Sequence, residues 1–502
     1  MVEHDDKPVA APGPPPGSGA PPEPAGGPPP GAEGGPPPGA EGGPPPGPPP
    51  WAVPGPGRSS IRRALVQLAV PMALAEVVGL LVVVGVVALL GRMGADALYV
   101  RALYLPVASL FLALFIAFDI SNQVTAAINR GRGRPGNVAP TALSFARLWV
   151  VFASVLIITL VLTAPLLADA LLVPPESRGH FVTFVRWMAL AELSYVGVVL
   201  CASSLRGFGH ARHGAVVMLT GAGLQFGGVA LLGFGAGMGA LSVPVSIAIS
   251  SVVGLGIGLV LLRRTGLWQP GQRLPWQPES IRHLRQVGVP VAATQIILFG
   301  SNFVLLRVLG VFDSTVVSAF SSASSLQILL LMPGIVLGSA TAIVLNQQRG
   351  AGKPGWLPTT LRTGLEVAIG VYVVLGVLAW LASEPLGKLM TDVPAVSHQA
   401  ALYLSTVGLT YILQGPVLAC LNILEQLGAG LVAVTLNFLY YAVVVVASAL
   451  VVSAMHDPVA FYRTVALSNL AGISVVVTAV IVVRRVSRAP APAPAFGMGG
   501  PA

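Results

Sequence analysis

This sequence predicts an all-α polytopic membrane protein: twelve transmembrane helices in two six-helix bundles, related by a pseudo-two-fold axis along the membrane normal. Three observations predict it. The chain is 54% hydrophobic and 9% charged, whereas a soluble protein carries about 25% charged residues. Apolar runs of about 20 residues, long enough to cross a bilayer, recur along it. Thirdly, the chain repeats itself at a constant offset of 219 positions. Val70-Pro71 returns as Val289-Pro290, and Leu90-Gly91 as Leu309-Gly310. Arg130-Gly131-Arg132-Gly133-Arg134-Pro135-Gly136 returns as Arg349-Gly350-Ala351-Gly352-Lys353-Pro354-Gly355. Cys201 and Cys420, Leu205 and Leu424, and Gly209 and Gly428 keep the same spacing. Composition bias does not hold one register over so long a stretch, so the sequence contains an internal duplication.

Residues 1–57 hold 22 of the 45 prolines and an eight-residue repeat, Gly-Gly-Pro-Pro-Pro-Gly-Ala-Glu, at Gly26 and again at Gly34. Such a segment has too little apolar surface to fold, and a disordered, polyproline-like cytoplasmic tail is expected. Spans are predicted at 62–91, 97–129, 139–164, 179–204, 212–235, 239–263, 281–309, 314–348, 358–382, 396–424, 430–453 and 460–484. The first bundle is read as 58–264, a cytoplasmic linker as 265–280, the second bundle as 281–486 and a disordered tail as 487–502. Six spans per copy is an even number, so both copies enter from the same side and their axis runs along the membrane normal. Twenty Arg and Lys residues fall on the side of the termini and seven on the other. Basic loops stay inside, which predicts both termini in the cytoplasm. The first hydrophobic run is span-length, which argues against a cleaved signal.

No catalytic or metal-binding signature is present, neither a His-Glu-x-x-His pair nor a Gly-x-Ser-x-Gly elbow nor a phosphate loop. The expectation is a protein that is not an enzyme and takes no cofactor and no metal. The formal charge of +9 resides in short loops between spans and does not suggest a nucleic-acid partner. Both cysteines fall inside apolar spans, which predicts buried thiols and no disulfide.

Charged groups within the spans are the informative residues, because an Asp at a helix centre costs about 2.5–3.5 kcal/mol on insertion scales. Three carboxylates qualify: Glu76, Asp119 and Glu192. At the repeat offset they become Gln295, Gly338 and Tyr411, so each occurs in the first copy alone. A carboxylate needed only for packing is expected in both copies, and the three are therefore candidates for cation or proton coupling. Asn122, Gln295, Asn302 and Gln414 are candidate substrate contacts. The bland alternative for the amides is interhelical packing, and for the acids a protonated, hydrogen-bonded packing role. Phe111, Phe115 and Phe118 form a helical stripe that reads as packing or lipid-facing, with a cavity wall as the other reading. Arg206 and Glu425 occupy matching positions, as do Arg147 and Glu366. Solvated or snorkelling span ends are expected for these four, with ion pairs between the copies as the alternative.

The chain resembles the multidrug and toxic compound extrusion (MATE) family over about residues 61–486. The likeness rests on Leu68-Ala69-Val70-Pro71, on Leu90-Gly91-Arg92-Met93-Gly94-Ala95-Asp96-Ala97-Leu98, on Ser204-Leu205-Arg206-Gly207-Phe208-Gly209, and on Asn346-Gln347-Gln348-Arg349-Gly350-Ala351-Gly352-Lys353-Pro354. It implies two six-helix bundles forming a V around a central cavity, and export driven by inward proton or sodium flow. At the positions where the family carries cation ligands, this chain has Val86, Gln225 and Val229, Leu298 and Gln414.

The residues and the resemblance together predict a secondary active efflux transporter, an antiporter exporting an amphiphilic small molecule or drug in exchange for protons by alternating access. Glu76 is expected to be the main proton carrier, with Asp119 and Glu192 tuning it. A lipid-linked oligosaccharide flippase of the same superfamily and a non-transporting membrane scaffold are the alternatives. The expected partners are a small-molecule substrate, a coupling proton (or else sodium) and the lipid bilayer. The expected setting is the bacterial plasma (inner) membrane, which the chain crosses many times, with the protein acting as a monomer.

Overall fold

The computed structural model describes residues 53–488, so the Pro-rich repeat and the Ala/Pro-rich end lie outside the described residues. Twelve helices among the described residues are long and apolar enough to cross a membrane. They are α1 (Arg58–Met93), α2 (Leu105–Gly131), α3 (Pro135–Ala170), α4 (Pro175–Phe208), α5 (Ala211–Gly235), α6 (Gly239–Arg264), α7 (Glu279–Leu309), α8 (Ser314–Gly350), α9 (Pro354–Leu381), α10 (Pro394–Gln426), α11 (Gly430–Met455) and α12 (Pro458–Arg488). No strand occurs among the described residues.

Three helices depart from the continuous spans that the sequence predicts. The second span was expected to begin at residue 97, yet a separate helix, Ala95–Leu103, precedes α2. Pro106 explains the break, because its ring clashes with the carbonyl of Ala102 and it has no N–H to donate. Helix α10 is interrupted by a 3-10 turn at Gly408–Thr410 and α12 by one at Asn469–Gly472. The two interruptions are bonded to each other, with Asn469 Nδ2 donating to Thr410 Oγ1 at 2.7 Å.

The duplication is visible in the backbone. Gly209 and Gly428, 219 positions apart, both adopt positive φ (98° and 88°) where α4 and α10 end. Only a residue without Cβ enters that conformation cheaply. Arg130 Nη1 donates to the Phe208 carbonyl at 2.7 Å, and its counterpart Arg349 donates to the Leu427 carbonyl at 3.1 Å. Each guanidinium thus satisfies a carbonyl that the helix end leaves unpaired. Cys201 and Cys420 are both buried free thiols.

Each copy has its own core. The Phe111–Phe115–Phe118 stripe turns inward: Phe115 stacks on Trp149 at 4.7 Å and meets Tyr195 edge-on, while Phe118 meets Trp149 edge-on at 5.2 Å. Packing within the first copy is therefore its role. In the second copy Phe320, Tyr403, Phe461 and Tyr462 pack edge to face. Other apolar stripes face outward, as Val151, Val155, Ile158 and Leu162 do on α3 at 59–71% exposure. On a membrane helix that face belongs to lipid. At the end of the first copy away from the chain termini, Asp96 is bonded to Ser177 at 2.7 Å and His180 at 2.8 Å, which hold its carboxyl below the usual carboxylate range.

The copies meet at the end that carries the termini. Ile61, Leu65, Leu68, Ala69 and Met72 of α1 share a buried cluster with Val336, Leu337, Ala340, Ile343 and Val344 of α8. Val124 of α2 joins Val287 and Val291 of α7 in a second, smaller one. A Cβ on Gly131 would fall on the Gln347 carbonyl, and one on Gly350 would fall on the Ile128 carbonyl. Because Gln347 is Ile128 plus 219, this contact is the same on both sides, and α2 and α8 touch backbone to backbone. Arg58 and Arg62 reach Glu366 of the second copy at 3.6 and 3.7 Å. Pairing between the copies, the alternative for these four, thus occurs at Glu366, with Arg58 and Arg62 as its partners across the seam, whereas Arg206 and Glu425 are buried rather than solvated or snorkelling.

Candidate functional site

The shared clusters end partway along the helices, and the polar candidates begin where they end. On α1 the stripe Leu65, Ala69, Met72 faces α8, and four residues after Met72 the same face carries Glu76. On α7 the seam residue Val291 is followed four residues later by Gln295, the counterpart of Glu76. Glu76 and Gln295 therefore sit at matching places, one turn beyond the shared clusters. Asn302 lies seven residues further along the α7 stripe, with exposed Phe299 between them. Residues three, four and seven apart share a helix face, so this face alternates amide and apolar surface.

Asp119 stands on α2, near enough for its charge to act on Glu76. Arg206 Nη2 donates to both of its carboxylate oxygens at 2.6 Å. Arg206 is buried at 6% exposure, and Asp119 keeps 23% of its side chain open. Breaking such a pair leaves an uncompensated charge, which costs more than the pair contributes. Arg206 Nε also donates to Gln123 Oε1 at 3.3 Å, and Gln123 Nε2 donates across the seam to Ser339 Oγ at 2.8 Å and Gln426 Oε1 at 3.2 Å. One hydrogen-bonded chain thus runs from an ion pair of the first copy into α8 and α10 of the second. Solvent reaches Glu76, although protein surrounds it, and the charges of Arg206 and Asp119 both act on it.

The other candidates lie elsewhere. Glu192 is 9% exposed inside the first bundle, where Arg101 is its charged neighbour. The Tyr104 hydroxyl and two guanidinium nitrogens of Arg101 are buried there without a hydrogen bond. Tyr195 stands within reach of the charges of Glu76, Glu192 and Asp119. Asn122 is spent within the first copy: its amide donates to the Leu200 carbonyl, Ser203 Oγ and Ser204 Oγ at 2.8–2.9 Å and fastens α2 to α4. Gln414 lines a small cavity of about 20 Å³ inside the second copy, with Asn437, Tyr440, Tyr441 and Asn469. That volume suits one water molecule, and the cavity adjoins the interruptions of α10 and α12.

Arg206, Gln123 as a bridge, Asn469 and Tyr440 were not among the candidates drawn from the sequence. For Arg206 a signal existed: an arginine and a glutamate at matching positions of a duplication require different partners. Of the residues at the positions where the family resemblance implies cation ligands, Val86 and Val229 form packing surface here. Val86 and Val229 lie in one buried cluster with Leu90 and Phe184, at 4% and 0% exposure. The ionisable groups of this chain stand nearer the seam.

Residues 290–451 match the MatE family. A stretch of 163 residues is 24% identical to the probable multidrug resistance protein NorM of Aromatoleum aromaticum, covering 32% of this chain and 35% of that protein. The Vibrio cholerae MATE transporter VcmN in its bent form superimposes with a TM-score of 0.79 at 16% identity, over 86% of this chain and 98% of that one. A Pyrococcus furiosus transporter of the MOP superfamily, described as having a binding pocket of reverse polarity, gives 0.77 at 17% identity over 86% and 97%. At these identities the superpositions establish the fold. The family match lies in the second copy, and the two-copy fold of the described chain is that of the multidrug and toxic compound extrusion (MATE) transporter structures.

Proposed function

We propose that the protein is a proton-driven antiporter that exports an amphiphilic small molecule through the bacterial plasma membrane, with both termini in the cytoplasm. The observation that carries this reading is the position of Glu76, exposed one turn beyond the seam and within reach of the charges of Asp119 and Arg206. The charge of Asp119 is already matched by Arg206, so Glu76 is the carboxylate free to change its state. Closing the copies over it removes water, which is costly for an ionised carboxylate and far less so for a neutral one. A proton taken from the outside therefore favours the state that opens to the cytoplasm, and its release there favours the return. Glu192 and Asp119 adjust the field at Glu76. The Gln295–Phe299–Asn302 face supplies amide and aromatic surface for an amphiphilic solute, in keeping with the drug-resistance name of the Aromatoleum relative.

Flux in proteoliposomes under an imposed pH gradient tests the reading. Glu76→Gln is expected to lower gradient-driven flux by about tenfold or more, the range of a coupling free energy of 1–3 kcal/mol. Binding of the solute without a gradient is expected to persist. Undiminished flux in the variant overturns the assignment of Glu76.

A further inference from the structure

Glu425 is a buried carboxyl that the mechanism above does not use. It stands on α10 at 4% exposure, and its hydrogen-bond partner is Thr294 of α7, whose hydroxyl donates to Oε1 at 2.6 Å. The duplication makes the oddity sharper. Its counterpart in the first copy is Arg206, which has Asp119 as counter-ion; the counterpart of Asp119 is Gly338. A Cβ on Gly338 would come within 2.7 Å of the Ala419 Cα and carbonyl oxygen, so that corner of the second copy is filled by backbone. No charged side chain fits there to pair with Glu425.

The ionisable groups on the surrounding elements are engaged elsewhere or remote. Arg349 at the end of α8 bonds to the Leu427 carbonyl, and Glu366 on α9 pairs with Arg58, Arg62 and Arg362. Asp119 on α2 pairs with Arg206. Tyr440 on α11 bonds to Asn469 and meets Tyr441 edge-on, and among the described residues no ion pair joins Glu425 to Arg484 or Arg485 of α12 or to Arg282 or Arg285 of α7. Among the described residues, Thr294 is the side chain hydrogen-bonded to the Glu425 carboxyl. An ionised carboxylate buried without a counter-charge costs several kcal/mol. A metal cation needs several oxygen ligands, and this carboxyl has one hydroxyl beside it, already donating.

We propose that Glu425 is a second proton-binding site, located in the second copy and separate from the carboxylates of the first copy. It occupies the α7–α10 contact, next to Gln426, whose side chain takes the cross-seam bond from Gln123. Ionising Glu425 places an unmatched charge beside that seam, so the closed seam holds the proton.

Infrared difference spectroscopy of the full chain in lipid nanodiscs at neutral pH reads this without any transport. Glu425→Gln keeps the shape and the Thr294 bond, and is expected to remove one protonated-carboxyl stretching band. Thr294→Val is expected to keep that band and move it to higher frequency, because a carbonyl released from a hydrogen bond is stiffer. Loss of no band in Glu425→Gln, or a band that disappears when sodium is added, overturns the proposal. Failure of the Glu76 reading would appear in flux and leave this band in place.

Discussion

Arg206 and Asp119 are 87 positions apart in the chain, and their pairing decides what each of them does. Both carboxylate oxygens of Asp119 accept from a buried guanidinium at 2.6 Å, so its charge is matched by a fixed partner. Its work is to keep Arg206 in place. Asp119→Ala should therefore destabilise the protein by about 3–5 kcal/mol, the cost of stranding one partner of a buried pair. Adding Arg206→Met should recover most of that loss, since a well-packed apolar pair replaces a buried ion pair at little cost. Thermal unfolding in detergent checks both, and an Asp119→Ala protein as stable as the parent would refute the pairing. The sequence offers Asp119 and Arg206 as one buried acid and one loop arginine; their contact is a property of α2 against α4.

At the scale of elements, α2 and α8 meet backbone to backbone at the end where the copies join. Gly131 and Gly350 let the two backbones meet, each lying against a carbonyl of the other helix. Small residues permit such approach in membranes, where dispersion contacts rather than water exclusion hold helices together. Gly350→Ala is expected to push α2 and α8 apart at that end and to cost about 1–3 kcal/mol, the usual penalty of overpacking. The readout is the distance between spin labels placed on the two helices near the contact, which should widen and broaden. An unchanged distance with unchanged stability would show that the contact has slack. The broken helices α10 and α12 belong to the same scale, since Asn469 and Thr410 join interruptions that hydropathy reads as continuous spans.

At the scale of the molecule, two pseudo-symmetric bundles meet at one end and carry unequal chemistry. The first holds three carboxylates around Tyr195, while the second holds amides, tyrosines and Glu425. If transport requires the seam to open, fastening it must stop transport. Arg62→Cys with Glu366→Cys, joined by a short thiol cross-linker, is expected to lose flux on linking and to keep it before linking. Both positions are partly exposed, and the surface pair they replace is worth little on its own. The native thiols Cys201 and Cys420 are buried, so the reagent meets the introduced pair. Flux that survives complete linking would rule out a moving seam.

Sequence alone determined the span count, the duplication and the broad fold class, because hydropathy and a fixed offset are local or pairwise properties that need no coordinates. It also singled out Glu76 and Gln295 as counterparts, since both are read from one register. Tertiary structure decided which polar groups face one another. Asn122 is spent between α2 and α4, Gln414 lines an internal cavity, and Arg206 turns from a loop residue into a buried counter-ion. The physical reason is that helical periodicity assigns a residue to a face, while the partner of that face depends on how helices distant in sequence are packed.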